Sequence, residues 1–127
     1  MKGYTDIEQS KRLAEILPLE TADRAYILHS TSDNPTWRFD GVPMVLGDVP
    51  INEITAETLP CWSLAALLKY LSEIKPQVYT PVLFPSEGKW ILQFAEYGHG
   101  NVCEVSCDNP IDACHEVILK LNELKML

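Results

Sequence analysis

A stripe of leucines in the middle of the chain constrains the fold more than any other sequence feature. Its members recur at the spacing i, i+3, i+4 and i+7, and they are Leu64, Leu67, Leu68 and Leu71. Residues with this spacing lie on one face of an α-helix, and a face made of leucine has to be buried. Pro60 precedes the stripe and has the fixed φ angle that suits a first helical turn. The sequence therefore predicts a core helix over residues 61–74.

Two further helices are predicted near the ends of the chain. Thr5 and Glu8 have the spacing of a capping box, so the first helix is expected over residues 6–17, where a proline ends the apolar pattern. Toward the C-terminus, Asn109 can cap a helix whose first residue is Pro110. This last helix is expected to continue nearly to the final residue.

Strands are predicted between the helices, where β-branched and aromatic residues are bounded by glycine, proline, asparagine and aspartate. The predicted strands cover residues 25–30, 37–39, 42–46, 77–84, 89–97 and 102–107. Asp40-Gly41 is a strong signal for a tight hairpin turn, and turns are also expected at 32–35, 86–88 and 98–101. Such short connections favour antiparallel pairing.

The order of these elements favours an α+β fold, in which antiparallel strand meanders pack against helices on one or both faces. The strand over residues 89–97 is apolar on both faces and is expected to be central and covered on both sides. With 127 residues the chain is long enough for one core, so a single α+β domain over residues 1–127 is expected, in the order α-β-β-(β)-α-β-β-β-α. Residues 47–59 are the least patterned part, with a short helical turn expected at 55–58.

Two helix ends share the pattern K-x-L-x-E-I-x-P, at residues 11–18 and 69–76. Each copy precedes a predicted strand, as an internal duplication would produce. Two amphipathic helices that end at proline can also converge on this pattern, because helix ends use few residue types. The sequence is compatible with both origins.

The charge of the chain restricts its class of partner. Its 10 basic and 18 acidic residues give a formal net charge of −8. Binding to a nucleic-acid backbone needs clustered cations, and apart from Lys11-Arg12 the basic residues are scattered singly, so no nucleic-acid partner is expected. The N-terminus lacks the apolar core of a secretion signal, and no apolar run could span a bilayer. We therefore expect a cytoplasmic protein without membrane association, whose 4 cysteines are reduced.

Cys61 is the first candidate for a catalytic nucleophile. In the first turn of the predicted helix it would feel the positive end of the helix dipole, which favours the reactive thiolate. A nucleophile also needs a base, and His29, His99 or His115 would have to be brought close by the fold. His99, between two glycines, is a second candidate, although such a residue is more often an exposed turn position. The favoured alternative for Cys61 is packing beside Trp62, because free cysteine is among the most buried residue types, so no catalytic residue is assigned.

Cys103, Cys107, Cys114 and His115 raise the question of a zinc site. Cys103 and Cys107 fall on one predicted strand, where residues four apart are separated by about 13 Å, too far for two ligands of one ion. The spacing C-x-x-C of zinc knuckles does not occur, nor do a phosphate-binding loop, a dinucleotide fingerprint or a G-x-S-x-G elbow. We therefore expect neither a metal nor a cofactor.

Three segments of the chain carry a resemblance to other proteins: Tyr4–Glu20, Pro60–Leu68 and Asp112–Leu124. Together they resemble a group of small uncharacterised proteins from gut Bacteroidetes and their phages or mobile elements. The resemblance covers the three predicted helices, about a third of the chain. It implies a bacterial, cytosolic setting and an accessory role in a mobile element, and it implies no activity or site residue.

Two functions from different classes are consistent with these observations. The leading hypothesis is a non-enzymatic accessory domain that binds another protein through its acidic surface or an exposed sheet edge. Self-association, for example as a homodimer, is part of this hypothesis because edge strands need covering. The alternative is a small enzyme or ligand-binding protein that uses Cys61 with a histidine brought near by folding.

Overall fold

The computed structural model describes residues 2–29, 36–37, 42–53 and 57–127. Within these ranges the α-helices are α1 (Ile7–Ala14), α2 (Leu64–Ser72) and α3 (Pro110–Glu123), and short 3-10 helices lie at Leu19–Thr21 and Ile51–Glu53. The strands are β1 (Arg24–His29), β2 (Thr36–Trp37), β3 (Met44–Val45), β4 (Thr58–Cys61), β5 (Tyr79–Ser86), β6 (Lys89–Glu96) and β7 (Gly100–Cys107). All pairs of these strands are antiparallel, so the predicted α+β class and the order of its elements are confirmed.

The chain divides into two compact units. The N-terminal unit comprises Tyr4–Ser63 and contains α1 and β1 to β4. The C-terminal unit comprises Leu64–Leu127 together with Met1–Gly3, and it contains α2, β5 to β7 and α3. Within the C-terminal unit, Lys2 Nζ donates to Asp112 Oδ1 at 3.0 Å, which ties the first residues to α3.

β1 is the central strand of the N-terminal unit. Arg24 of β1 lies between Val45 of β3 and Cys61 of β4, while the other end of β1 pairs with β2. Helix α1 packs against β4. The largest fully buried side chains of this unit come from α1, from β1 and from the residue after β4, and they are Leu13, Tyr26 and Trp62. These side chains form the core of the unit, and removing their apolar surface from water is a main contribution to its stability.

Helix α1 begins one residue later than the capping box at Thr5 predicts. Its N-cap is Asp6, whose carboxylate accepts from Gln9 N while the Gln9 side chain accepts from Asp6 N. Thr5 cannot serve as the cap because its hydroxyl is buried and already bonded, accepting from Trp62 N at 3.1 Å. The helix also ends at Ala14, earlier than the predicted range of 6–17.

Helix α2 begins at Leu64, so the prediction that it starts at Cys61 is wrong. Pro60 and Cys61 belong to β4, and they lie opposite Ala25 and Arg24 of β1. The physical reason is non-local, since the backbone of this segment pairs with β1 and cannot at the same time form a helical turn. The helix ends at Ser72, inside the predicted range of 61–74.

The C-terminal unit is a three-stranded sheet in the order β5-β6-β7, covered on one face by α2 and α3. Leu92 and Phe94 of β6 are fully buried on the covered face, and Leu67 and Leu71 of the leucine stripe are fully buried on α2. The central position of β6 is therefore confirmed. The other face of β6 is only half-buried, at residues such as Gln93. The prediction that both faces are covered is therefore wrong for this second face.

Other predicted elements are confirmed with altered bounds. Asn109 caps α3 by accepting from Asp112 N at 2.9 Å, and Pro110 is its first residue, but the helix ends at Glu123. The β5–β6 turn has positive φ at Glu87 and Gly88, at 52° and 79°, as a type I′ turn requires. The turn at 32–35, the Asp40-Gly41 turn and residues 55–56 of the turn predicted at 55–58 lie outside the described residues. The last residue of that predicted turn, Thr58, belongs to β4, because it pairs with β1.

Candidate functional site

The Cys61 thiol lies in a buried polar cluster, not at a helix N-terminus. Its Sγ accepts from Thr5 Oγ1 at 3.5 Å and donates to the Thr5 carbonyl at 3.4 Å. Tyr26 OH donates to the same carbonyl at 2.7 Å, and Ser10 Oγ lies 2.8 Å from Thr5 Oγ1. These bonds join α1, β1 and β4 in the interior of the N-terminal unit.

Burial controls the chemistry of this thiol. Cys61 is 0% exposed, and burial raises the pKa of its thiol although the neighbouring hydroxyls of Thr5, Ser10 and Tyr26 act in the opposite direction. The helix-dipole argument for a thiolate no longer holds, since Cys61 lies on β4. Cys61 therefore acts as a protonated packing residue that also completes the hydrogen bonding of Thr5.

The histidines considered as bases lie in different parts of the fold. His99 is exposed in the turn between β6 and β7, where its N donates to the Glu96 carbonyl at 3.0 Å. His115 is 2% exposed on α3, and its Nδ1 lies 3.6 Å from Glu116 Oε1. Both belong to the C-terminal unit, whereas Cys61 belongs to the N-terminal unit. The side chain of His29 lies outside the described part of the structure.

The cysteines of the C-terminal unit do not form a metal centre among the described residues, where no group of three or more potential ligands converges. Cys103, Cys107 and Cys114 are free thiols. Cys114 is fully buried, and burial raises its pKa to about 12. Cys103 and Cys107 lie on the same face of β7 and are half-buried, as the alternation of the strand predicts.

A concave groove in the N-terminal unit has the geometry of a binding site. Its volume is about 480 Å³, within the range of cavities that hold small ligands or parts of peptides. The groove is lined by the first 3-10 helix, the residues after it and the segment that follows β3. The lining residues are Leu19, Glu20, Ala22, Asp23, Leu46, Gly47, Asp48, Val49, Pro50 and Ile51.

The wall of the groove that contains Asp23 is fixed by hydrogen bonds. The Asp23 carboxylate accepts from both the backbone N and the hydroxyl of Ser63. Its carbonyl accepts from Leu46 N at 3.1 Å, which joins this wall to the segment after β3. Trp62 Nε1 donates to Thr21 Oγ1 at 2.9 Å and so holds the 3-10 helix in place. Because these groups are already positioned, the groove is pre-formed.

The groove has a buried apolar floor and exposed apolar side chains on its rim. Leu46 and Ile51 are only 7% and 8% exposed and belong to a small core cluster. Leu19 and Val49, on the rim, are 47% and 50% exposed. Exposed apolar side chains that border a concavity mark interaction sites more often than isolated exposed leucines or valines do.

The charges in the lining are all negative. Glu20 and Asp48 are exposed at the rim, while Asp23 is already engaged by Ser63. The lining contains no lysine or arginine. The ligand that best suits this groove therefore has an apolar part, which contacts the floor, and a positive charge, which lies near the carboxylates of the rim.

Little in the sequence indicated this site, because half of its lining residues fall in 47–59, a segment that follows no helix or strand period. One signal was present in the sequence. Leu46, Val49 and Ile51 are apolar residues separated by turn residues, and they belong to no predicted helix or strand that would bury them together. The two lining segments, 19–23 and 46–51, are also distant in sequence. The pairing of β1 with β3, together with the hydrogen bond from Leu46 N to the Asp23 carbonyl, brings them together.

Comparison with known proteins adds no relative to this description. No protein-family model, curated protein or solved structure matches the chain. Among the described residues, the helices are too short or too polar to cross a bilayer.

Proposed function

We propose that this protein is a non-enzymatic binding module whose groove in the N-terminal unit holds a segment of another protein. The observation that carries the proposal is the pre-formed groove of about 480 Å³, with a buried apolar floor, exposed apolar rim residues and negative charges. The segment it fits combines apolar side chains with lysine or arginine. This is the protein-binding role expected from the acidic composition, now assigned to particular residues.

The two kinds of lining have separate roles in this proposal. Burial of apolar side chains from the partner supplies the main favourable free energy, and the cost of ordering the bound segment offsets part of it. Glu20 and Asp48, together with the net charge of −8, attract basic segments and raise the association rate. The 4 cysteines are free thiols, so a reducing cytosolic setting is part of the proposal.

The test measures binding of a fluorescein-labelled peptide of alternating lysine and leucine by fluorescence anisotropy. Two matched peptides separate the roles of charge and apolar surface, one alternating glutamate with leucine and the other alternating lysine with serine. We expect the lysine–leucine peptide to bind, and both matched peptides to bind more weakly, because each retains only one of the two favoured features.

Paired variants connect binding to the groove. Val49→Ser and Asp48→Lys are each expected to weaken binding of the lysine–leucine peptide by about tenfold, from lost apolar burial and reversed charge. The control variants are Val82→Ser and Glu123→Lys, which make the same changes at exposed positions of the C-terminal unit. Equal effects of the groove variants and their controls, or no binding by the wild type, would overturn the proposal.

A further inference from the structure

The two edges of the three-stranded sheet differ in their backbone donors. The β5–β6 hairpin has a two-residue turn and closes at the pair Ser86 and Lys89. In such a hairpin the closing pair is hydrogen-bonded, and alternate residues beyond it direct their backbone groups away from the partner strand. The β5 residues that point to the outer edge are therefore Tyr79, Pro81, Leu83 and Pro85.

Three of these four β5 positions have no donor to offer to another strand. Pro81 and Pro85 carry no N–H. Tyr79 N already donates to the Lys75 carbonyl at 3.0 Å. Prolines at outward positions are a common way of preventing a sheet edge from pairing, so the β5 edge is blocked.

The β7 edge has none of these protections. Val105 lies opposite Leu92 of β6 and directs its backbone toward that strand, so Glu104 and Ser106 direct their N–H and C=O groups outward. β7 contains no proline, lysine or arginine, and in the described part of the chain β6 is its one strand partner. The sheet is thus closed at one edge and open at the other.

We propose that β7 pairs antiparallel with β7 of a second copy of this chain, about a two-fold axis at Val105. In this register Glu104 lies opposite Ser106 of the copy. The neighbouring registers are less favourable because they place Glu104 opposite its own equivalent or opposite Asp108, and like charges directly opposite one another destabilise a strand pair. The proposal concerns the C-terminal unit and does not depend on the groove.

The charges near the two ends of β7 favour an antiparallel pair. Burial raises the pKa of both edge thiols, but at Cys103 the nearby Lys120 opposes this effect. At Cys107 the carboxylates of Glu116, Asp112 and Asp108 add to it, and Lys89, which is paired with Asp108, opposes it. The Cys103 end of β7 therefore has a positive neighbour and the Cys107 end has mostly negative ones. The proposed two-fold axis places the positive end of each β7 beside the negative end of the other, so the dimer contains two such contacts.

This register makes a specific prediction about thiols. Cys103 of each chain lies opposite Cys107 of the other in a non-hydrogen-bonded pair, where Cα atoms are about 4.5 Å apart, a distance that a disulfide can span. Diamide can accept two electrons and two protons from such a pair of thiols to form the S–S bond. Cys61 and Cys114 are 0% exposed and are protected from this reaction in the folded protein.

The cross-linking experiment uses native wild type, Cys103→Ser and Cys107→Ser, each treated with diamide and separated under non-reducing conditions. We expect the wild type to give a covalent dimer, neither variant alone to do so, and a mixture of the two variants to give one. Cross-linking of either variant alone would overturn the register. Absence of a covalent dimer from both the wild type and the mixture would overturn the pairing.

A second experiment removes one outward donor. Ser106→Pro deletes the N–H of Ser106, whereas Ser106→Ala keeps it and serves as the matched control. By sedimentation, we expect the wild type and Ser106→Ala to be dimers and Ser106→Pro to be a monomer with an unchanged far-ultraviolet circular dichroism spectrum. A monomeric wild type, or a folded Ser106→Pro dimer, would contradict the proposal. If Ser106→Pro does not fold, the cross-linking of the mixed Cys103→Ser and Cys107→Ser variants tests whether the two β7 strands pair.

Discussion

A single hydroxyl, that of Thr5, joins α1 to the end of β4 in the N-terminal unit. It is 0% exposed, accepts from Trp62 N, shares a hydrogen bond with Ser10 and donates to Cys61. We expect Thr5→Val, which keeps the shape and removes the hydroxyl, to lower the free energy of unfolding by about 1–3 kcal/mol, because it leaves buried polar groups without a partner. Urea unfolding measures this change.

The matched control is Thr58→Val, the same replacement at a half-buried position of β4. It leaves no buried partner unsatisfied, so a change below about 0.5 kcal/mol is expected. Similar effects of the two replacements would show that the Thr5 hydroxyl has no special role.

The buried thiols predict a dependence of stability on pH. Burial raises the pKa of Cys61 above its ordinary value of 9.0 and that of Cys114 to about 12. Since the folded state holds these protons more tightly than the unfolded state, their contribution is complete below pH 9.0 and is lost as the pH rises through the folded-state pKa values. The free energy of unfolding should therefore fall above pH 9.0.

Chemical denaturation of the wild type and of the double variant Cys61→Ala/Cys114→Ala, at neutral and at alkaline pH, tests this assignment. The double variant should lose less stability between the two conditions than the wild type. An equal loss in both proteins would assign the alkaline effect to other groups, such as Tyr26, whose pKa burial also raises.

At the scale of elements, helix starts were predictable where the signal is local. Asn109 and Pro110 cap α3 within a few residues of one another, so the structure follows the sequence there. Thr5 and Asp6 each begin a possible capping box, and only contacts with β4 decide that Asp6 is the cap. The start of α2 could not be predicted either, because Pro60 and Cys61 pair with β1 and therefore belong to a strand.

The α3 cap gives a prediction at this scale. Asn109→Ala removes the acceptor for Asp112 N and should cost about 1 kcal/mol of stability, within the range measured for such caps. Asn122→Ala, an exposed position near the other end of the same helix, is the matched control and should cost less than half as much. Thermal or urea unfolding compares the two. Equal effects would show that the Asn109 side chain does not stabilise the helix start.

At the scale of the whole molecule, the sequence indicated the α+β class, the antiparallel pairing and the acidic character that a binding role can use. It did not indicate the groove, because a groove is made by segments that local periodicity does not connect. Residues 19–23 and 46–51 meet through the pairing of β1 with β3, a contact between positions distant in the chain. Cys61, the most reactive residue by sequence pattern, is instead part of the interior.

The groove of the N-terminal unit is the proposed binding surface. Binding there can be located by following the backbone amide signals of the ¹⁵N-labelled protein while the lysine–leucine peptide is added. We expect saturable shifts concentrated at residues 19–23 and 46–51, and about tenfold more peptide to be needed for saturation in Val49→Ser but not in Val82→Ser. Shifts confined to the C-terminal unit, or no saturable shifts at all, would contradict the proposal.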